Sequence, residues 1–598
     1  MSERIINLRD LHFQLFEVLD SEALTGRARY AEHSIETFQS ALDAAHRIAV
    51  DKFAPHNRHA DEREPEIADG HVRIIPEVKQ ALDAYVDAGF LAAQHDAQLG
   101  GMQLPGTIAS ACHFMFAAAN VGTNGYVMLT LANANVIARF GTEQQKARYL
   151  TGLRSGRSFG TMALTEPQAG SSLADIRTMA LPQPDGSYRL HGNKIFISGG
   201  DHELSENIVH LVLAKTPGAP PGTRGISLFI VPKYRVADDG ARGARNDVSL
   251  SGLLHKMGWR GTTSTMLSFG ERGDCYAELL GQPYQGMATM FHMMNEARIG
   301  VGANAAMLGY RGYLAALDYA KERPQGRSHD TRDPSRPQIP IIEHADVRRM
   351  LLAQKAYVEG GFGLCLYAAR LQDDQQSADS ESVRADASLL LELLTPVVKS
   401  WPAQWCLEAN SLAIQVLGGY GYMREYPVEQ FYRDNRLNAI HEGTHGIQAL
   451  DLLARKLQLQ NGATLQKFVE HIEPTLTEAG AFESLRPCAD ALRASVKDTV
   501  ATVAVLSAAL REQAALAQAN ASVLLEAFGH VVVAWIWLRQ AVVAARAKPL
   551  TADDKAFYDG KIQTCHWFSE WELPKTAAQF ALLRSLNERT LSMKPEWF

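Results

Sequence analysis

Apolar residues recur at helical spacing through the first quarter of the chain. Phe38, Ala41 and Ala45 lead into a stripe ending at 48–50, residues 75–90 carry a second, and 108–119 and 127–140 carry two more, separated by glycine loops such as 98–106. This pattern predicts an all-helical first domain over 1–158. The period then shortens. Residues 188–198, 210–215, 225–232 and 263–269 are short alternating or wholly apolar runs, and Pro184-Asp185-Gly186-Ser187 supplies a turn before the first. They predict a compact β domain over 159–280, with 237–246, rich in Gly, Asp and Arg, as a surface loop.

Helical periodicity returns at 285–323 and, after a polar, proline-rich insertion at 326–340, resumes at 343–371, 382–416 and 446–457. Four such amphipathic stretches predict a helical bundle over 281–460. Ala-rich stripes at 485–519 and 522–547, then Phe557, Trp567, Trp571 and Phe580, predict an extra helical extension over 461–598. The fold class is mainly α with a central β domain.

Composition narrows the function. A net charge of -7 carries no hint of a nucleic-acid partner, and the extension, with 14 Lys and Arg against 15 Asp and Glu, lacks the basic footprint that phosphate binding demands. The first 20 residues hold no uninterrupted apolar stretch, so no secretory signal is expected. The longest notable apolar run, 531–538, is far short of the roughly 18 residues of a span, so no transmembrane segment is expected. Six cysteines without CxxC spacing fit reduced thiols in a cytoplasmic protein.

The densest chemistry lies in 415–448, QVLGGYGYMREYPVEQFYRDNRLNAIHEGTHGIQ. Within it His441-Glu442-Gly443-Thr444-His445 satisfies H-E-x-x-H, the pattern of a zinc hydrolase. That reading needs both histidines on one continuous helical face. Gly443 is a poor interior helix residue, Thr444 is suited to cap a helix carrying Ile447, Leu450, Leu453 and Leu457, and the candidate third ligands Glu470 and His471 lie beyond a polar break. Glu442 is therefore expected on a loop just before a helix N-terminus.

Gln415-Val416-Leu417-Gly418-Gly419, Glu425-Tyr426-Pro427, Arg433-Asp434 and Ile440-His441-Glu442-Gly443-Thr444, in that order and spacing, resemble the C-terminal signature of the acyl-CoA dehydrogenases. The order of helices, β domain and bundle agrees with that family over about 40–458, and the tail resembles its subgroup with a C-terminal helical extension, which includes very-long-chain and 3-methylmercaptopropionyl-CoA types. The resemblance implies an FAD enzyme that converts an acyl-CoA thioester to the trans-2-enoyl-CoA. In it Glu442 is the catalytic base, its N–H faces the thioester oxygen with a flavin hydroxyl, flavin N5 takes the β-hydride, and electrons pass to an electron-transfer flavoprotein.

Site residues follow from the same resemblance. Met162, Leu164, Thr165, Gly170 and Ser171, in MALTEPQAGS, match the stretch along the flavin, and Phe196 and Ser198 match a usual Trp-x-Thr. Ser171, Asn295, Arg298 and Gly443 are the implied substrate contacts, and Thr444 and Gly446 the last flavin contacts. Arg323 and Gln325 are implied to reach the FAD of a neighbouring subunit while Gln415, Gly418 and Gly419 clasp its other end, so a homodimer is expected. Departures are Ser172 for Asp, Gly446 for Gln, a missing Phe after Arg323, and Glu343-His344-Ala345 without its glutamine. Glu296 is a rival base, one residue and about 100° from the place some relatives use. The same motifs also admit an acyl-CoA oxidase using oxygen and a flavin-bearing DNA-binding relative. Tyr126, Met128 and Leu131, on the stretch implied to line the acyl tail, point to a limited pocket.

Overall fold

A computed structural model describes residues 4–328, 333 and 335–598, which pack into two compact units. One comprises 40–104 and 115–300, the other the residues up to 39, 105–114 and 301–598.

In the first unit a sheet closes into a barrel around Tyr188–Ser198, which pairs antiparallel with Ser264–Phe269, Tyr276–Leu280 and Met179–Pro182. From Tyr276–Leu280 the sheet runs through Ile226–Pro232 to Asn207–Lys215, and Met179 opposite Lys215 closes the ring. Ser158–Ala163 adds in parallel to Asn207–Lys215 as an edge strand. The Asn207–Lys215 strand is apolar through most of its length because both its faces are covered. Val209, Leu211 and Leu213 meet Tyr149, Leu153, Met290 and Met293, while Val212 and Ala214 enter the barrel core with Phe229, Val231 and Leu267.

All four strands expected from periodicity are present. Ser158–Ala163, Met179–Pro182, Val248–Leu253 and Tyr276–Leu280 are additional, each too short or too mixed to announce itself, and the first domain is not all-helical, since Glu66–Ala68 pairs with His71–Arg73 as a short hairpin. The expected surface loop instead contains a strand, Arg242–Arg245, paired with Tyr234–Val236, and the Arg242 guanidinium lies 3.6 Å from the Tyr234 ring centre.

The second unit is helical. Gly286–Glu322, from residue 301 onward, packs against Glu381–Leu417 so closely that a Cβ on Gly302 would lie 1.9 Å from the Val398 carbonyl oxygen. Only glycine permits that approach. Ala345–Ser377 completes the bundle core, and the extension adds Ala463–Gly480, Arg486–Glu512, Ala521–Arg546, Ala552–Trp567 and Lys575–Arg584.

The extension packs on the bundle. Trp537 Nε1 donates to the Ala356 carbonyl at 2.9 Å, and buried Lys561 meets Asp10 at 2.5 Å and Glu359 at 2.7 Å. The run at 531–538 proves to be the middle of Ala521–Arg546. That helix is long and apolar enough to cross a membrane by length and composition, but 83% of its apolar window is buried inside the protein, which makes it a core helix.

Candidate active site

Val428–Arg436 ends in tight turns, and the next helix, His445–Ala454, begins only after a sharp reversal. Glu442 (φ 54°) and Gly443 (φ 90°) are both left-handed, and Thr444 caps the helix by accepting from the Ile447 N–H at 3.4 Å. Glu442 thus stands just ahead of a helix N-terminus, where the dipole favours negative charge. His441 precedes the reversal and His445 opens the helix. The one-turn histidine pair of a zinc hydrolase is not formed, so the zinc reading fails on backbone geometry. Among the described residues no cluster of three or more His, Cys, Asp or Glu has metal-binding geometry.

A left-handed glutamate costs on the order of 1–2 kcal/mol, and the surroundings hold it there. The buried Gln448 side chain donates from Nε2 to the Glu442 carbonyl oxygen at 3.1 Å, and a Cβ on Gly443 would come within 2.5 Å of that same Nε2. On the other side His441 Nε2 lies 3.2 Å from Asn438 Oδ1. Burial first, and then the cation of fully buried Lys399, hold His441 at about 3. His445 is held at about 4 by burial, Lys399 and Arg436, so both imidazoles are neutral near pH 7. Gln448, Asn438 and Lys399 escaped the sequence reading because amides and a lysine within helical pattern carry no local signal. A glutamine one turn inside a helix that follows an obligatory glycine is the clue that was available for Gln448.

Elsewhere in this unit, no atom lies within 4 Å of a Cβ built on Gly418 or Gly419, and Gly418 has φ 61°, leaving an open backbone ledge beside exposed Gln415. Gly446 is exposed next to the Thr444 cap. Arg323 follows the long helix and its Nη1 donates to the Pro324 carbonyl at 2.8 Å. Gln325 N–H reaches Ile339, its carbonyl meets His344 Nε2 at 2.7 Å, and Pro324 pairs with Pro340, which closes the base of the insertion. Residues 329–332 and 334 of that insertion lie outside the described residues.

In the barrel unit the stretch after the edge strand is rigidly held. Glu166 and Ala169 exchange two backbone hydrogen bonds of 3.0 Å across a tight turn. The buried Glu166 carboxylate accepts from Lys194 (3.0 Å), the Arg177 N–H (2.6 Å) and both the N–H (3.0 Å) and hydroxyl (2.6 Å) of Thr178. Burial pushes this carboxyl up, but Lys194 and the Thr178 and Arg177 donors outweigh it and hold it at about 2. Lys194 Nζ also ties down the Leu164 carbonyl at 2.9 Å. Gly170 and Ser171 are left exposed on this frame, Thr165 is half-buried, and the Met162 side chain is in the core, so Met162 offers only its main chain. Where the family has Asp, the Ser172 hydroxyl donates to the Asp175 carboxylate and makes no side-chain cap on the short helix that follows.

Phe196 is the other half of this surface. Thr265 pairs with Ile197 but Leu267 with Lys194, so Ile195 and Phe196 form a bulge. The bulge puts Phe196 at φ 60° with 64% of the residue exposed, while the Ile195 N–H bonds the Thr165 carbonyl at 3.0 Å. A strained backbone thus turns an aromatic side chain out to solvent, a flat apolar face beside the Thr165 stretch.

The chain matches four family models in succession. They are Acyl-CoA dehydrogenase, N-terminal domain (36–157), middle domain (161–271) and C-terminal domain (284–457), and Acetyl-CoA dehydrogenase C-terminal like (463–594). It is 35% identical over 589 residues to 3-methylmercaptopropionyl-CoA dehydrogenase of Ruegeria pomeroyi, covering 98% of each chain. To the broad-specificity linear acyl-CoA dehydrogenase FadE5 of Mycobacterium tuberculosis it is 34% identical over 617 residues, covering 99% of each. This chain belongs to the acyl-CoA dehydrogenase family. Its fold superposes on an acyl-CoA dehydrogenase complexed with FAD from Bacillus anthracis with a TM-score of 0.74 at 21% identity, over 97% of this chain and 95% of that one.

As a family member the enzyme is an FAD-dependent oxidoreductase acting on acyl-CoA. The residues present fit the flavin. An isoalloxazine needs donors for N1, O2 and O4, an acceptor for N3 and an apolar face, and the Met162–Ser171 main chain with exposed Phe196 has that character. The implied substrate residues stand differently. Arg298 is buried, with its guanidinium 5.9 Å from the Phe291 ring centre, and the buried Asn295 Oδ1 has no hydrogen-bond partner among the described residues. Glu296 accepts from Asn135 Nδ2 at 3.0 Å, and burial pushes its carboxyl up to about 7 against the pull of Asn135 and Arg139. Tyr126 is a structural tie, its hydroxyl bonding the Gly261 carbonyl (3.2 Å) and the Thr263 N–H (2.9 Å).

Proposed function

We propose that this dehydrogenase forms a trans-2-enoyl-CoA with Glu442 as the base that removes the α-proton, and that its electrons leave to an electron-transfer flavoprotein. The observation that carries the reading is the strained, doubly supported backbone of Glu442 immediately before the Thr444-capped helix. Strain retained against a cost of about 1–3 kcal/mol marks functional loops. Bound FAD supplies the β-hydride acceptor and the electron carrier.

The chain's own residues do the rest. Glu442 holds the α-proton after transfer, and its N–H, at a helix start, meets developing negative charge on the thioester oxygen. Thr165, Ser198 and the main chain of Met162 and Leu164 hold the flavin edge, Phe196 covers its face, and Gly170 and Ser171 admit phosphate or the CoA arm. Thr444 and Gly446 complete the cofactor site, with Arg323, Gln325, Gln415, Gly418 and Gly419 supplied by a second subunit, in a homodimer. Asn295, Arg298 and Gly443 contact the substrate. Six free, buried cysteines support a reducing, cytoplasmic setting.

An anaerobic titration tests this. The flavin of the purified protein should bleach with acyl-CoAs of about four to sixteen carbons or with 3-methylmercaptopropionyl-CoA, the substrate class of the Ruegeria relative. Reoxidation should be faster with electron-transfer flavoprotein than with oxygen. Glu442→Gln should keep FAD and lose bleaching; a Glu442→Gln protein that bleaches at the normal rate overturns the assignment.

A further inference from the structure

Three buried asparagines form an unbroken hydrogen-bonded train leading to His441, the residue before Glu442. Asn410 Nδ2 donates to the Leu308 carbonyl at 2.9 Å, and Asn435 Nδ2 donates to the Ala305 carbonyl at 3.1 Å and to Asn410 Oδ1 at 2.7 Å. Asn438 Nδ2 donates to Asn435 Oδ1 at 3.0 Å, and His441 Nε2 closes the train on Asn438 Oδ1 at 3.2 Å.

The direction of this train is forced. Carbonyl oxygens only accept, so Leu308 and Ala305 orient the Asn410 and Asn435 amides with nitrogen toward them. Asn435 then presents Oδ1 to Asn438, which must donate, and Asn438 in turn presents Oδ1 to His441. The imidazole must answer with an N–H. The cation that acts on this ring is Lys399 from Glu381–Leu417, which favours its neutral form; Lys399 and Arg436, at the end of Val428–Arg436, do the same for neighbouring His445.

We infer that His441 is a positioning residue for Glu442. Locked by this amide train as the Nε2–H tautomer, it pins the turn from which Glu442 enters its left-handed conformation, opposite the pin that Gln448 supplies. The inference rests on Glu442 being the base. A glutamine amide places its nitrogen near the position of imidazole Nε2, whereas an asparagine amide reaches only the position of Nδ1. The two substitutions therefore separate the tautomers.

The experiment is stopped-flow flavin bleaching of FAD-loaded variants with a saturating acyl-CoA. His441→Gln should stay within about threefold of the parent, while His441→Asn and Asn438→Leu should each lose about tenfold, and the double variant no more than either. In 15N-histidine-labelled protein the resonance pair removed by His441→Gln should show Nε2 protonated, Nδ1 bare, and no titration between about pH 5 and about pH 9. Equal rates for the Gln and Asn variants, or an Nδ1–H tautomer, overturn the inference. If instead Glu442→Gln still bleaches, it is the base assignment that has failed.

Discussion

The side-chain amide of Gln448 donates to the main-chain carbonyl of Glu442 at 3.1 Å, reaching back across the first turn of its helix to the residue that turns the chain left-handed. The bond is made inside the protein, with Gln448 fully buried, so water cannot replace it when the amide is removed. Gln448→Leu should cost about 1–2 kcal/mol of stability and slow flavin bleaching about tenfold with FAD content unchanged. Urea unfolding and stopped-flow absorbance read the two effects; an unchanged bleaching rate would show that the carbonyl needs no anchor.

Phe196 sets stability against function. Its left-handed backbone costs on the order of 1–2 kcal/mol that glycine would not incur. Phe196→Gly should leave the flavin-free protein as stable or slightly more so, yet weaken FAD binding about tenfold, whereas Phe196→Trp should keep FAD. Thermal unfolding without FAD and fluorescence titration with FAD measure each half.

The Glu166 clamp has a defined pH window. Its folded carboxyl titrates at about 2 against an ordinary 4.5, so its contribution, at most about 3 kcal/mol, is complete above about pH 4.5 and lost as pH falls toward 2. Glu166→Gln should therefore lower stability at neutral pH, flatten the acid limb between about pH 4.5 and about pH 2, and release FAD more readily.

Glu296 runs the other way. With a folded value of about 7, its favourable contribution is complete below about pH 4.5 and fades as pH rises through 7. Glu296→Gln should gain stability relative to the parent above about pH 7, by up to about 3 kcal/mol, and still bleach with acyl-CoA. Loss of bleaching in Glu296→Gln, with Glu442→Gln active, would move the base to this helix.

Lys561 joins three parts of its unit. It meets Asp10 and Glu359, which also pairs with Lys355 at 2.5 Å, while Asp10 accepts from Tyr310 at 2.8 Å. Lys561→Met strands a buried carboxylate and should cost about 3–5 kcal/mol in the first urea transition. Adding Asp10→Leu should recover part of that loss. Additive losses would show that the two do not interact.

Much of the architecture was written locally. Strands at 188–198 and 226–232, the bundle helices and the Thr444 cap each rest on residues within a few positions of one another, and so does the signature around Glu442. A positive φ at Gly443 follows from residue type, and a helix start after it follows from Thr444 and the apolar stripe. By itself the sequence determined the family, the order of domains and the carboxylate on which the chemistry is proposed to turn.

What the tertiary structure decided depends on partners far apart in the chain. The bulge that exposes Phe196 exists only because Ser264–Phe269 pairs with Tyr188–Ser198 out of register, and the barrel closes through Met179 opposite Lys215. The train from Leu308 to His441 and the Lys561 cluster draw on helices more than a hundred residues apart. The H-E-x-x-H pattern shows the same division from the other side: its spacing is local, but a zinc site needs a continuous helix, and the reversal at Glu442 and Gly443 removes it. Residue type sets what a segment is able to form, whereas burial and pairing between distant segments select which polar groups end up facing one another.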